Sequence, residues 1–172
     1  IVDNPAGACS PSAVLTGQTG MTLAQALDLC RVTLESPPTA AQRTWGVISA
    51  QILRASSLAT PSDVQSAAFA QFGALLPQAG ATMVALSSGT ARGPGDPGYV
   101  APQSGYSSGV SESAPANFLA GNGGVVFRSL ACPQASNIVY DAVRLRLRIR
   151  VPSNATGFSF QHRSLRGLQE LP

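Results

Sequence analysis

Lysine is absent from this chain, and acids are scarce: all 11 basic residues are Arg, set against 8 Asp and Glu in 172 residues. The single His and three Cys keep metal-binding and nucleophilic side chains few. Each shortage excludes something. The net charge of +3 and the sequence pI of about 9.1 come from missing acids, not from basic runs. Without Lys clusters or interleaved aromatics, no nucleic-acid interface is expected. No apolar run approaches the roughly 18 residues of a membrane-crossing helix. No basic-then-apolar leader opens the given sequence, so no signal peptide is read there. With His162 alone and no Cys-x-x-Cys spacing, no zinc centre, other metal or cofactor is expected.

Present in quantity are Ala, Leu, Val, Gly and Ser. Leu, Val, Ile and Phe together number 41, enough for the core of one domain though much of the remaining apolar content is small Ala. Residues 1–20 lack periodicity and read as an extended arm. Thr22-Leu23-Ala24-Gln25 fits a capping box, and Leu23, Ala26, Leu27, Cys30 and Leu34 follow at helical spacing until Pro37-Pro38. Trp45 to Leu53 is a β-branched apolar run that predicts a buried strand, with a helix as the alternative. Thr60-Pro61-Ser62-Asp63 looks like a second helix start, with Val64, Ala68, Phe69 and Phe72 as its apolar side. Met83 to Gly89 reads as a strand entering a turn, residues 90–124 as a long irregular segment, and Val125-Val126-Phe127 as a short strand.

The clearest signal lies at 143–151. Val143, Leu145, Leu147, Ile149 and Val151 alternate with Arg144, Arg146, Arg148 and Arg150, so a strand puts all the Arg on one face. Pro152 ends it, 153–157 turns, and Phe158-Ser159-Phe160 begins another strand. The whole predicts an α+β fold, with two or three short N-terminal helices and an antiparallel, sandwich-like sheet. Low charge and Ser/Gly/Pro-rich loops suggest export, to the cell surface or the extracellular space. A Cys9–Cys30 disulfide would then tie the arm to the first helix and leave Cys132 over; three unpaired thiols are the alternative.

Fragments in a fixed order carry a resemblance. Gly20 to Cys30, Trp45 to Ala50, Leu86-Ser87-Ser88-Gly89, Asp96-Pro97-Gly98-Tyr99-Val100, Val143 to Pro152 and Phe158-Ser159-Phe160 together resemble the choice-of-anchor L domain. The resemblance runs over roughly residues 8–160 and divides the chain into an arm (1–20), a partial domain (21–160) and a tail (161–172) unlike the family. It implies a β-rich, exported, surface-attached module without enzymatic activity, and no catalytic residues to carry over. Because the family continues into Phe-rich strands where this chain becomes Gln161-His162-Arg163, a truncated or frame-shifted reading, with a non-functional product as one outcome, is expected; a genuine short variant with a helical tail is the alternative.

The candidate chemistry follows from these readings. Arg144, Arg146, Arg148 and Arg150 form a candidate anion-binding face for a surface polysaccharide or protein, because guanidinium forks match sulfate, phosphate and carboxylate; the plainer reading is a solvated strand face. Asp96, Tyr99 and Tyr106 are candidate ligand-loop residues, and would serve a secreted carbohydrate-binding or carbohydrate-active protein. Asp96, between Gly95 and Pro97, also suits a simple turn. Ser87 and Ser88 lack a nucleophile elbow. Asp3 with Asn4, and Asn137 with Asp141, are sparse calcium candidates. Trp45 could stack on a sugar, but its flank Gly46-Val47-Ile48 favours a core position. Asn154-Ala155-Thr156 is a glycosylation sequon.

Overall fold

The computed structural model describes residues 12–78, 80–103, 105–126 and 136–162. In chain order its elements are α1 (Gly20–Ala26), β1 (Gly46–Arg54), β2 (Ser66–Phe69), β3 (Met83–Leu86), β4 (Ser111–Ser113), α2 (Ala116–Gly121), β5 (Ile138–Tyr140) and β6 (Val143–Arg150). Two 3-10 turns lie at Ala40–Gln42 and Asp63–Gln65. The strands pair antiparallel as β1 with β6, β2 with β3 and β4 with β5, and no barrel closes among the described residues. The fold is thus mixed helix and strand, with antiparallel sheets and few helices.

The first helix starts earlier and ends sooner than its sequence predicts. Thr19, not Thr22, is the N-cap: Thr22 N donates to Thr19 Oγ1 at 3.2 Å, and Thr19 N donates back to Thr22 Oγ1 at 2.8 Å. The box exists, but between two threonines. At the other end Asp28 takes φ +66°, and Leu29 N reaches Ala24 O at 3.0 Å while Asp28 N reaches Gln25 O at 2.9 Å. That is a Schellman ending, with Asp in the left-handed position usually held by Gly. The helix therefore never reaches Pro37, and Leu27 and Leu34 are exposed. Thr82 Oγ1 donates to the terminal carbonyl of Ala26 at 2.8 Å. Gly20 has a particular reason to be Gly: a Cβ there would lie 2.3 Å from Ala50 O, so α1 sits directly on the β1 backbone.

The second predicted helix is a single 3-10 turn leading into a strand. Ser62 and Gln65 form its capping box, after which Ser66-Ala67-Ala68-Phe69 runs extended with every residue buried. Ala favours helix in isolation. Here the segment is held on both edges, by β3 and by Val14, whose N and O each exchange a 2.9 Å bond with Ala68. Ala68 faces Leu23, Ala26, Val14, Ile52, Val84 and Leu145. Ala67 and Phe69 face Ala91, Leu15, Phe72, Met83 and Ala85. Small side chains suit a strand pressed between two such clusters.

β1 and β6 form the longest ribbon. Leu145 pairs with Ile52 and Leu147 with Ala50; Arg144, Arg146 and Arg148 oppose Leu53, Gln51 and Ser49 on the other face, and a bulge lies between Val47 and Ser49. A parallel bridge from Val32 to Val47 covers part of the outer edge of β1. The segment 90–124 is less irregular than predicted, since it contains β4 and α2. Two further expectations are corrected. Val125 and Val126 are not in a strand, and Phe127 lies outside the described residues. Phe158 to Phe160 is not a strand either: no described strand pairs with it, and its rings, 84% and 73% exposed, stack on each other.

Candidate functional site

The alternation of β6 places its four Arg on one face of the ribbon, as predicted from the period of two. Arg146 and Arg148 are exposed, Arg144 and Arg150 half-buried. Their partners are mostly neutral. Arg146 Nε donates to the side-chain carbonyl of Gln51 at 3.1 Å, and Nη2 donates to the same oxygen. Arg150 Nη2 donates to the backbone carbonyls of Leu34 at 2.8 Å and Glu35 at 2.7 Å. Arg148 makes the one described ion pair of the face, to Glu35 at 2.5 Å. The buried Nε atoms of Arg144 and Arg150 have no hydrogen-bond partner. At the Arg150 end, Arg43, Trp45, Val151 and Asn154 line a shallow depression of about 420 Å³. Trp45 is half-buried and carries the Arg31 guanidinium 5.3 Å from its ring centre.

The ligand-loop candidates are not brought together around a common point. Asp96 behaves as a turn residue: Oδ2 accepts from Gly93 N at 2.7 Å, and its own N donates to Gly93 O at 3.0 Å. Tyr99 is joined to it only through the backbone, Tyr99 N to Asp96 O at 3.1 Å. The Tyr106 ring lies against Gly89, away from that turn's hydrogen bonds. Asp96 also lines the rim of an open, largely apolar depression of about 480 Å³ beside Leu15, Phe69 and Phe72.

A buried polar hub behind this loop was not foreseen. The Arg92 side chain is fully buried. Nη1 donates to Ser66 O at 2.9 Å and Ala91 O at 2.8 Å, Nη2 to Asp63 O at 3.0 Å, and Nε to Pro97 O at 3.2 Å. The Asp63 carboxylate stands 3.5 Å from Nη2 and also accepts from Gly17 N at 3.0 Å. Gln18 Nε2 donates to Asp63 O at 2.6 Å, to Ser66 Oγ at 2.9 Å and to Ser66 O. Gln65 extends the network by donating to Asp141 O at 2.8 Å. Asp141 itself sits at φ +52° and is buried. Burial raises its pKa, but donations from the Ser108 hydroxyl and N–H, the Ser107 hydroxyl and Val110 N–H outweigh burial and hold the carboxyl below its ordinary value. An isolated Arg in a Gly/Pro-rich stretch and an Asp between two strands carry no periodic signal, so only the chain's tertiary path identifies them.

Other candidates fall away from one another. Asn137 binds Val126 N at 3.1 Å and Gly124 O at 3.0 Å, while Asp141 serves residues 108 and 110, so these two do not form a cation site. Among the described residues no three His, Cys, Asp or Glu converge, and no helix is long and apolar enough to cross a membrane. His162 lies against Phe160, 5.9 Å between ring centres. Cys30 is engaged, not free; Cys9 and Cys132 lie outside the described residues, as do Asp3 and Asn4. No family model, curated protein or solved structure matches the chain.

Proposed function

We propose that this chain is an exported, surface-associated, non-enzymatic module of attachment or recognition, of the choice-of-anchor L kind its sequence resembles, and that the Arg face of the β1–β6 ribbon is its contact surface. The sandwich-like arrangement implied by the resemblance belongs to the same proposal. The observation that carries it is the near-absence of acids on that face. Four guanidinium groups share one ribbon surface, yet only Arg148 meets a described carboxylate. Like charges on one strand repel, and an anionic partner relieves that repulsion while using donors that now meet neutral carbonyls or no described partner. The Cys9–Cys30 bond stands as a proposal of the same reading, since export supplies the oxidising compartment it needs. Peptide mapping without reduction detects it as a linked pair, and free thiols at both positions in natively produced protein would count against it.

The test of the face is retention on immobilised heparin. Arg146→Ser with Arg148→Ser is expected to weaken binding about tenfold, two exposed ion pairs at about 0.7 kcal/mol each. Unchanged retention sinks the assignment of the face.

A second reading, carbohydrate binding, draws support from the depression beside Trp45, where Arg43, Arg150 and Asn154 surround an aromatic edge. A neutral-glycan array with saturable binding that is lost in Trp45→Ala would favour it over the Arg face.

A further inference from the structure

Among the described residues the strand β6 has one partner, β1, and its opposite edge has none. That edge is 8 residues long, Val143–Arg150, without Gly, Pro or bulge on the β6 side. Such an edge presents backbone donors and acceptors in a ladder-ready row, and natural proteins usually shorten, break or cover it. Among the described residues only side-chain charge guards it. The charge pattern selects what can add.

Residues directly opposite in an antiparallel ladder share a face. A second copy of β6, added about a two-fold axis at Leu147 so that apolar faces apolar, sets Arg144 against Arg150 and Arg146 against Arg148, twice over. Opposed like charges destabilise a ladder. Moving the axis by half a residue avoids this only by putting every Leu and Val of the newcomer on the Arg face. A second copy also has no other strand to offer: the 8 acids of this chain never stand two residues apart.

We propose that the free edge of β6 accepts an extended segment of a different protein in which acidic and apolar residues alternate. Its carboxylates would lie opposite Arg144, Arg146, Arg148 and Arg150, and its apolar residues would extend the face that carries Leu145, Leu147 and the exposed Ile149. Main-chain pairing supplies affinity and the alternation supplies selectivity, as in other strand-addition complexes. The inference rests on the Arg face being the contact surface and names the partner's chemistry.

The test uses the full chain and labelled octapeptides followed by fluorescence anisotropy. One peptide alternates Glu and Val; a second has the same composition with its Glu in one block. Two more carry the alternating sequence with N-methyl groups on every second amide, at odd or at even positions. The alternating peptide should bind at least about tenfold more tightly than the block peptide, the sum of several cross-strand charge pairs. One N-methyl series should lose binding and the other keep it, because alternate amides point into the ladder. Arg146→Glu with Arg148→Glu should turn the preference toward a peptide alternating Lys and Val, and the wild-type peptide series stands even if that variant fails to fold. Equal binding of all four acidic peptides would overturn strand addition and leave a general anion surface. Absence of binding by every acidic peptide and by heparin would overturn the surface assignment as well.

Discussion

Arg92 holds four carbonyls, from Asp63, Ser66, Ala91 and Pro97, at the fixed angles of one guanidinium fork. Replacing it leaves those acceptors in a dry site. Arg92→Met should lower the unfolding free energy by about 3 kcal/mol, and Arg92→Lys should recover little because a single ammonium cannot reach four directions. Urea titration measures both, and a midpoint unmoved by either change would show the hub to be dispensable. Asp141 makes the corresponding pH statement. Its folded pKa lies below the unfolded value of 3.8, so its contribution is present above that value and disappears as pH falls through the folded pKa. Asp141→Asn should therefore flatten the acid limb of stability below about pH 4 and cost stability at neutral pH. An acid limb unchanged in the variant would assign acid sensitivity to other carboxylates. Neither role was legible in the sequence, where Asp141 stood only as a sparse calcium candidate, because a hub of long-range side-chain bonds leaves no local pattern.

At the scale of elements, legibility followed the relation between local pattern and burial. β1, β3 and β6 could be read because their β-branched or alternating residues want the conformation that the sheet imposes. β2 could not, since Ser66-Ala67-Ala68-Phe69 prefers helix locally and is overruled by neighbours on both edges. The face of α1 was legible in Leu23 and Ala26, its ends were not: the caps depend on Thr19 and on Asp28 turning left-handed. Gly20 offers a sharp check. Intrinsic propensity favours Ala over Gly by about 1 kcal/mol, yet the missing Cβ is what lets α1 touch Ala50. Gly20→Ala should therefore destabilise, by more than about 2 kcal/mol, as overpacking against backbone does. Thermal melting that rises in the variant would disprove the close approach.

For the molecule as a whole, α1 and the β1–β6 and β2–β3 ribbons share small cores rich in Ala, while among the described residues the β4–β5 ribbon and α2 contribute to neither. Long-range polar bonds join them: Gln65 links the start of β2 to the turn before β6, and Ser57 Oγ donates to Glu112 at 2.7 Å between β1 and β4. The candidate surface was legible as a stripe, because a period of two needs no tertiary knowledge. The edge of β6 that no described strand pairs with was not, because an edge is defined by what fails to pair with it.

The absence of Lys and the concentration of Arg on β6 have a further consequence for handling this protein. Trypsin can cut only after Arg, and 4 of the 11 Arg lie within the eight residues of one strand. Because β6 is paired along its length with β1, trypsin reaches those bonds only when the ribbon opens locally. The strand is thus both the most densely marked segment of the chain and the one whose access a bound partner would block. The rate at which fragments ending within β6 appear therefore reports opening of the β1–β6 ribbon, which a partner bound along the strand would slow.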